Sequence, residues 1–236
     1  NTTINSNDPN AGFDLVADAQ INNDSTVISS NLNIKLLNLY RLNFTKEKIA
    51  FRGKFDMDGK YASINNLNAQ IAIRGAGIYD GDNFFEIKPV YITPVFTPKS
   101  TFLDFKSEVL GLEFNSNIPV DEMGDVLSLA ANKFLGLADT LELPENKTID
   151  FKMNVNLTPE FTANILPELK QLSLNSISGS YTSDNNHLKL NLVAPDIQWG
   201  DIIVKNLHLN INGVHDSLTL VSGFQNLYYD TLLIGT

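Results

Sequence analysis

Cysteine is absent from this chain. Its absence removes disulfides, thiolate nucleophiles and Cys-type zinc sites together. Basic residues are scarce. Lys and Arg number 17 against 27 Asp and Glu, giving a formal net charge of -10 over 236 residues, and the arginines are Arg41, Arg52 and Arg74. Phosphate backbones are held mainly by Lys and Arg, so nucleic acid is not an expected partner. No apolar run approaches the ~18 to 20 residues that a membrane-spanning helix needs. The first residue is Asn1, with no Met and no signal peptide before it, so a piece of a longer chain is expected.

Groups with evident chemistry are few. His187, His208 and His215 are the histidines, and none has a Cys or carboxylate at metal-ligand spacing. No G-x-S-x-G elbow and no Gly-rich phosphate loop occurs. "DMDG" from Asp56 and "DGDN" from Asp80 begin like calcium loops, but Leu67 and Tyr91 stand where the bidentate Glu belongs, so hairpin turns are expected instead. Glu142 with Glu145, or Asp121 with Glu122, read as exposed acidic pairs. Trp199, the sole Trp, reads as a half-buried sheet anchor. No catalytic residue, metal or cofactor is expected, and an enzyme is the least favoured class.

What the chain does have is alternation of apolar and polar residues, almost end to end. Phe13, Leu15, Ala17, Ala19 and Ile21 form one set; Leu32, Ile34 and Leu36 another. Ile49, Phe51, Gly53, Phe55 and Met57 follow, then Leu67, Ala69, Ile71 and Ile73. Later sets are Ile149, Phe151, Met153, Val155 and Leu157; Leu188, Leu190 and Leu192; Leu207, Leu209 and Ile211; and Leu218 and Leu220. Successive side chains on a strand point to opposite sides, so each set gives one apolar and one polar face. Turns are expected at Asp58-Gly59, Asp80-Gly81, Ser178-Gly179 and Asp184-Asn185. A four-residue loop from Gly213 to Asp216 would pair Ile211 with Leu218 and Leu209 with Leu220. The small residues Ala17, Ala19, Ala69 and Ala72 suggest tight packing or curvature.

Two stretches break the alternation. "PVDEMGDVLSLAANKF" (Pro119 to Phe134) places Met123, Leu127, Ala130, Ala131 and Phe134 at helical spacing, with Gly136 just beyond. "TPEFTANIL" from Thr158 offers an N-cap Thr, then Pro159 and Glu160, and Pro167 limits the helix to about two turns. A faint repeat, "INNLNAQIAIRG", "VKNLHLNING" and "FQNLYYDTLLIG", suggests stacked strand layers. No linker divides the chain, which reads as one segment over 1–236 with 1–10 polar and frayed.

Two consecutive stretches carry a resemblance. "FLDFKSEVLGLEFNSNIPVDEMGDVLSLAANKFL" has a strand pair and an apolar helix; "TIDFKMNVNLTPEFTANILPELKQLSLNSISGSYTSDNNHLKLNLVAPDIQWGDIIVKNLHLNING" has a strand, a short helix and alternating strands ending in the Asn-Leu strand. The pattern resembles the TamB/AsmA-like family, most closely the translocation and assembly module members of Bacteroidota, over roughly residues 100 to 236 and more loosely before. The resemblance implies an open antiparallel β-solenoid, a taco-like curled sheet with an apolar groove and one or two short amphipathic helices. It further implies a periplasmic segment of a parent chain anchored in the inner membrane. Such a segment would carry phospholipid acyl chains between the membranes and work with an outer-membrane barrel of the TamA type. The groove floor would comprise Ile149, Phe151, Met153, Val155, Leu157, Leu188, Leu190, Leu192, Leu207, Leu209, Ile211, Leu218 and Leu220. Asp-Ser/Thr-apolar triplets also match an O-glycosylation pattern of Bacteroidota, with acceptors at Ser25, Thr140, Ser217 and Thr231; turn chemistry produces the same triplets.

Physics suits a conduit. A one-sided apolar sheet must be covered, or it aggregates. Curled but unsealed, it offers a trough in which an acyl chain gains ~0.8 kcal/mol per buried methylene. The apolar sets contain no charge along that route. Two other readings stay open: a scaffold for inserting outer-membrane barrels through exposed strand edges, and a β-sandwich adhesin or carbohydrate-binding module.

Overall fold

The structure, a computed structural model, describes residues 1–137, 144–157, 162 and 168–236. Among these residues it is mostly β. Sixteen strands belong to one open antiparallel sheet, in which sequence neighbours are nearly always spatial neighbours, and one helix is present. Contacts divide the chain into two compact units: Asn1–Pro98 with Leu103–Glu108, and Lys99–Phe102 with Val109–Thr236.

In the first unit the order is β1 (Thr2–Asp8), β2 (Ala11–Asn22), β3 (Ser25–Asn38), β4 (Ile49–Ser63), β5 (Asn66–Asp80) and β7 (Val90–Thr97), with β6 (Asn83–Ile87) paired to part of β5. The polar N-terminal stretch, expected to fray, pairs along its length with β2, from Thr2↔Ala17 to Asp8↔Ala11. Cross-strand partners line up the expected sets: Leu15 meets Leu32, Leu32 meets Phe55 and Phe55 meets Ile73. Irregularities in register fall side by side, at Ile34/Leu37 of β3 and at Arg52/Lys54 of β4 opposite Gly75 of β5, whose φ is +56°. Bulges bend a strand and sharpen its twist.

β8 (Ser100–Lys106) belongs partly to each unit. The second unit continues with β9 (Leu110–Ser116), helix α1 (Met123–Phe134), β10 (Thr148–Leu157), β11 (Leu169–Thr182), β12 (His187–Trp199), β13 (Ile202–Val214), β14 (Ser217–Gly223), β15 (Asn226–Tyr229) and β16 (Leu232–Gly235). β14 pairs with one end of β13 and β15 with the other.

Several expectations are corrected. Asp58-Gly59 and Ser178-Gly179 are not turns but lie inside β4 and β11. Their glycines serve close approach: a Cβ on Gly59 would come within 2.8 Å of the Ala69 Cβ, and one on Gly179 would overlap the Phe151 ring. Asp56 likewise sits mid-strand, where it hydrogen-bonds Asn31 and pairs with Arg74 at 2.6 Å. Asp80-Gly81 and Asp184-Asn185 do turn the chain. The β13–β14 hairpin turns on His215-Asp216, not on four residues. Val214 pairs with Ser217, Gly213 with Leu218 and Ile211 with Leu220, two residues away from the expected register. His215 takes the left-handed conformation a two-residue turn demands, φ +59°, and its N–H donates to the Asn185 carbonyl at 2.9 Å. The two-residue step keeps Leu218 and Leu220 on the face of Ile211. The repeat does not mark equivalent places: its Asn-Leu opens β5 and β15 but falls in the middle of β13, where Asn206 has φ +52°. The short helix expected from Thr158 lies outside the described residues, as does Glu142.

Helix α1 begins at Met123, where the apolar spacing begins, with Glu122 just before it, but it buries a partly different stripe. Val126 and Ala130 are buried and Met123 packs beside them, whereas Leu127 is 46% exposed and Ala131 is exposed. Positions i, i+3 and i+7 from Met123 meet the sheet, and Leu127 is one step around the helix from that line. Gly136 follows with φ +66°, the left-handed residue that ends many helices.

Candidate functional site

The apolar face of the second unit is built row by row across the strands. One row runs Ser116, Ile149, Tyr181, Leu188, Gly213 and Leu218. Two residues further along lie Phe114, Phe151, Gly179, Leu190, Ile211 and Leu220. The third row is Leu112, Met153, Ile177, Leu192, Leu209 and Ser222. Val155 continues the face beside Leu110 and Leu174, and Leu207 beside Ala194. At ~4.8 Å per strand, a row across β9 to β14 extends roughly 25 Å.

Helix α1 covers the first row. Ile118, Val126, Ala130, Ile149 and Tyr181 form a buried cluster, with Phe114, Met123 and Leu188 packed against it. Phe134 at the helix end reaches β13, where a Cβ on Gly213 would lie 2.5 Å from the ring and 3.2 Å from Leu218. A hydrogen-bonded belt closes this end. Ser116 Oγ donates to the Thr148 carbonyl (2.7 Å), and Asn117 binds Asn146 and Thr148 through both ends of its amide (2.6 and 2.7 Å). The Lys147 N–H donates to Ser183 Oγ at 2.9 Å. Asn186, 2% exposed, donates to the His215 carbonyl at 2.6 Å and accepts from the Tyr181 hydroxyl at 3.2 Å. Burial pushes the Tyr181 hydroxyl up to about 12.

Beyond the first row the face remains hydrocarbon, and the described strands form one sheet with no second sheet assigned to it. Phe151, Met153, Val155, Leu157, Leu190, Leu192, Leu207, Leu209 and Ile211 are half-buried, and Leu188, also half-buried, packs against the helix-covered cluster of the first row. Leu218 and Leu220 on β14 are 50% and 58% exposed. Ile149 differs: it is 4% exposed and belongs to the helix-covered core rather than to an accessible floor. A second sheet packed on this face would bury the other rows as α1 buries Ile149. One step past Ala194 and Leu207, Asp196 pairs with Lys205, so charge returns at that limit.

The sequence sets missed β9 and β11. Leu110, Leu112 and Phe114 alternate plainly in "LGLEF" and are a usable signal. In β11 the signal is hidden, because a register shift against Met153/Val155 puts Ile177 and Leu174 on one face although they are three residues apart. Trp199 is 49% exposed at the end of β12, paired with Ile202. Three of the four expected glycosylation acceptors sit at hairpin turns: Ser25 opens β3, Ser217 opens β14, and Thr231 lies between β15 and β16. Thr140 lies outside the described residues.

The opposite face is polar. A shallow depression of about 380 Å³ there is lined by Glu113, Asn115, Asp150, Lys152, Ser180 and Lys189, with Phe151 among its neighbours. Among the described residues no group of His, Cys, Asp and Glu is disposed to hold a metal ion.

Fold and site define a class: an antiparallel sheet protein presenting one long hydrocarbon face. Comparison of the chain with protein-family models, with curated proteins and with solved structures finds no match.

Proposed function

We propose that the apolar rows of the second unit beyond the first seat lipid acyl chains, as a segment of a periplasmic bridge that moves lipid between inner and outer membrane. The observation that carries this reading is the run of half-buried Leu, Ile, Met and Phe side chains across β9 to β14, charge-free until Asp196 and Lys205. An acyl chain lying on an open row is covered from one side. Its gain is then about half of ~0.8 kcal/mol per methylene, or roughly 6 kcal/mol for a sixteen-carbon tail. That holds a tail against water and still lets it slide. No group along the rows needs to react.

The test is a photo-crosslinking amino acid at Leu209 or Leu192, with the same residue at Asn210 on the polar face as control, in protein made in a Gram-negative host. Adducts to phospholipid at the first two sites and not at Asn210 support the reading. Equal labelling at all three sites, or none, refutes it.

A second reading has its own observation. β14 pairs only with β13 among the described residues, and its residues from Ser217 to Ser222 are exposed. An unpaired edge can add a strand from a nascent outer-membrane barrel. Crosslinks from Thr219 to barrel strands, without lipid adducts at Leu209, favour that scaffold. The sandwich adhesin has the least support, since the described strands belong to one sheet.

A further inference from the structure

We propose that the loop joining β3 to β4 is a docking point for an anionic phospholipid surface, with Phe44 entering the headgroup boundary and Arg41 and Lys46 meeting lipid phosphates. This does not rest on the acyl-chain reading, since the loop belongs to the first unit and shares no residue with the rows described above.

The loop holds itself in shape. Leu39 and Tyr40 N–H both donate to the Ile49 carbonyl, Leu42 to Asn38, Asn43 to Tyr40 and Phe44 to Leu39, at 2.9 to 3.4 Å. The Arg41 N–H donates to Asn38 Oδ1 at 3.0 Å, and Asn43, with φ +61°, turns the chain back. The result is an ordered tip that presents what a soluble surface normally hides: Phe44 is 76% exposed and Tyr40 is 40% exposed. Beside them, a shallow depression of about 350 Å³ is lined by Tyr40, Arg41, Asn43, Thr45 and Lys46. Amide, hydroxyl and cations around a small hollow suit a phosphate-bearing headgroup.

Charge selects the occupant. The chain is strongly acidic, yet this tip carries Arg41 and Lys46, and among the described residues neither forms an ion pair. Arg41 instead lies 5.9 Å over the Tyr40 ring. Glu47 opposes them, and Lys48 sits at the loop base, where its carbonyl accepts from Gly81 next to Asp80 and Asp82, so Lys48 is not counted. Screening over ~8 Å at physiological salt leaves the nearest charges in control. An aromatic tip flanked by cations matches a membrane interface.

The whole chain is co-sedimented with vesicles of phosphatidylcholine alone and with about one-third phosphatidylglycerol, at about 0.15 M salt. Binding to the anionic vesicles is expected. It should weaken about fivefold for each of Arg41→Gln and Lys46→Gln and at least as much for Phe44→Ser, with the far-UV circular dichroism unchanged. Excess inorganic phosphate should not release the protein. Phe44→Trp in a Trp199→Phe background should shift its fluorescence to the blue on anionic vesicles only. Equal binding to both vesicles, variants that bind like the parent chain, full release by phosphate, or an unshifted emission from the Phe44→Trp variant each overturn the proposal.

Discussion

The two ends of one apolar row behave differently. Ile149 and Tyr181 are 4% and 3% exposed, while Leu218, in the same cross-strand row, is 50% exposed. All three lie on strands of the same alternating kind. The difference is what lies on top: α1 covers the row as far as Gly213, where Phe134 rests, and the row continues onto β14 uncovered. A β-face is therefore not core by virtue of its alternation. It becomes core where another element covers it, and elsewhere it is a hydrocarbon surface available to a ligand.

That contrast is open to test, beginning with the largest effect. Ile149→Ala should destabilise the second unit by about 2–5 kcal/mol in urea unfolding, because a closed site cannot fully collapse around the cavity. A cost near that of an exposed leucine would mean α1 is not seated. Gly213→Val forces the Phe134 ring and the Leu218 methyl aside and should cost about 1–3 kcal/mol; Phe134→Ala in the same chain should recover part of it. Were the double variant's loss simply the sum of the two, Phe134 would not rest on β13.

Tyr181→Phe leaves the Asn186 amide oxygen without its donor and should cost roughly 1–2 kcal/mol at neutral pH. Burial raises the Tyr181 pKa to about 12 from the usual 10, so the folded form holds a proton that the unfolded form releases. Stability from this group is present below about pH 10 and is lost as pH rises towards 12. The gap between the parent chain and Tyr181→Phe should therefore narrow over that window, and a constant gap would show the hydroxyl is not buried. The smallest effect belongs to the open end. Leu220→Ser should change stability by less than about 0.5–1 kcal/mol yet reduce lipid adducts formed from Leu209. Unchanged adducts would confine the lipid contact to β12 and β13.

Much of this is legible in the sequence, and the failures are informative. Period-two alternation places β2, β3, β10, β12 and β13, because a strand's sidedness is written locally. It puts Leu207, Leu209 and Ile211 on the right face, although the turn chemistry sets the following hairpin two residues out of register. The left-handed φ at His215, whose N–H donates to the Asn185 carbonyl, is not visible in composition. Asp-Gly and Ser-Gly suggest turns where the glycines actually make room for Ala69 and the Phe151 ring. Helical spacing selects Leu127 rather than Val126, since both fit the period and only the sheet beneath chooses between them. The exposed tip at Phe44 has no signal apart from being an aromatic residue between turns.

The sequence by itself determined that the chain is mostly strand, that each strand has one oily side, and that the oily sides carry no charge. These follow from the two-residue period of an extended backbone and from turn residues, which act over a few bonds. Only the tertiary structure decided which oily side chains are core and which are surface. That choice depends on a helix docking across five strands, a long-range arrangement of shape that no local pattern records.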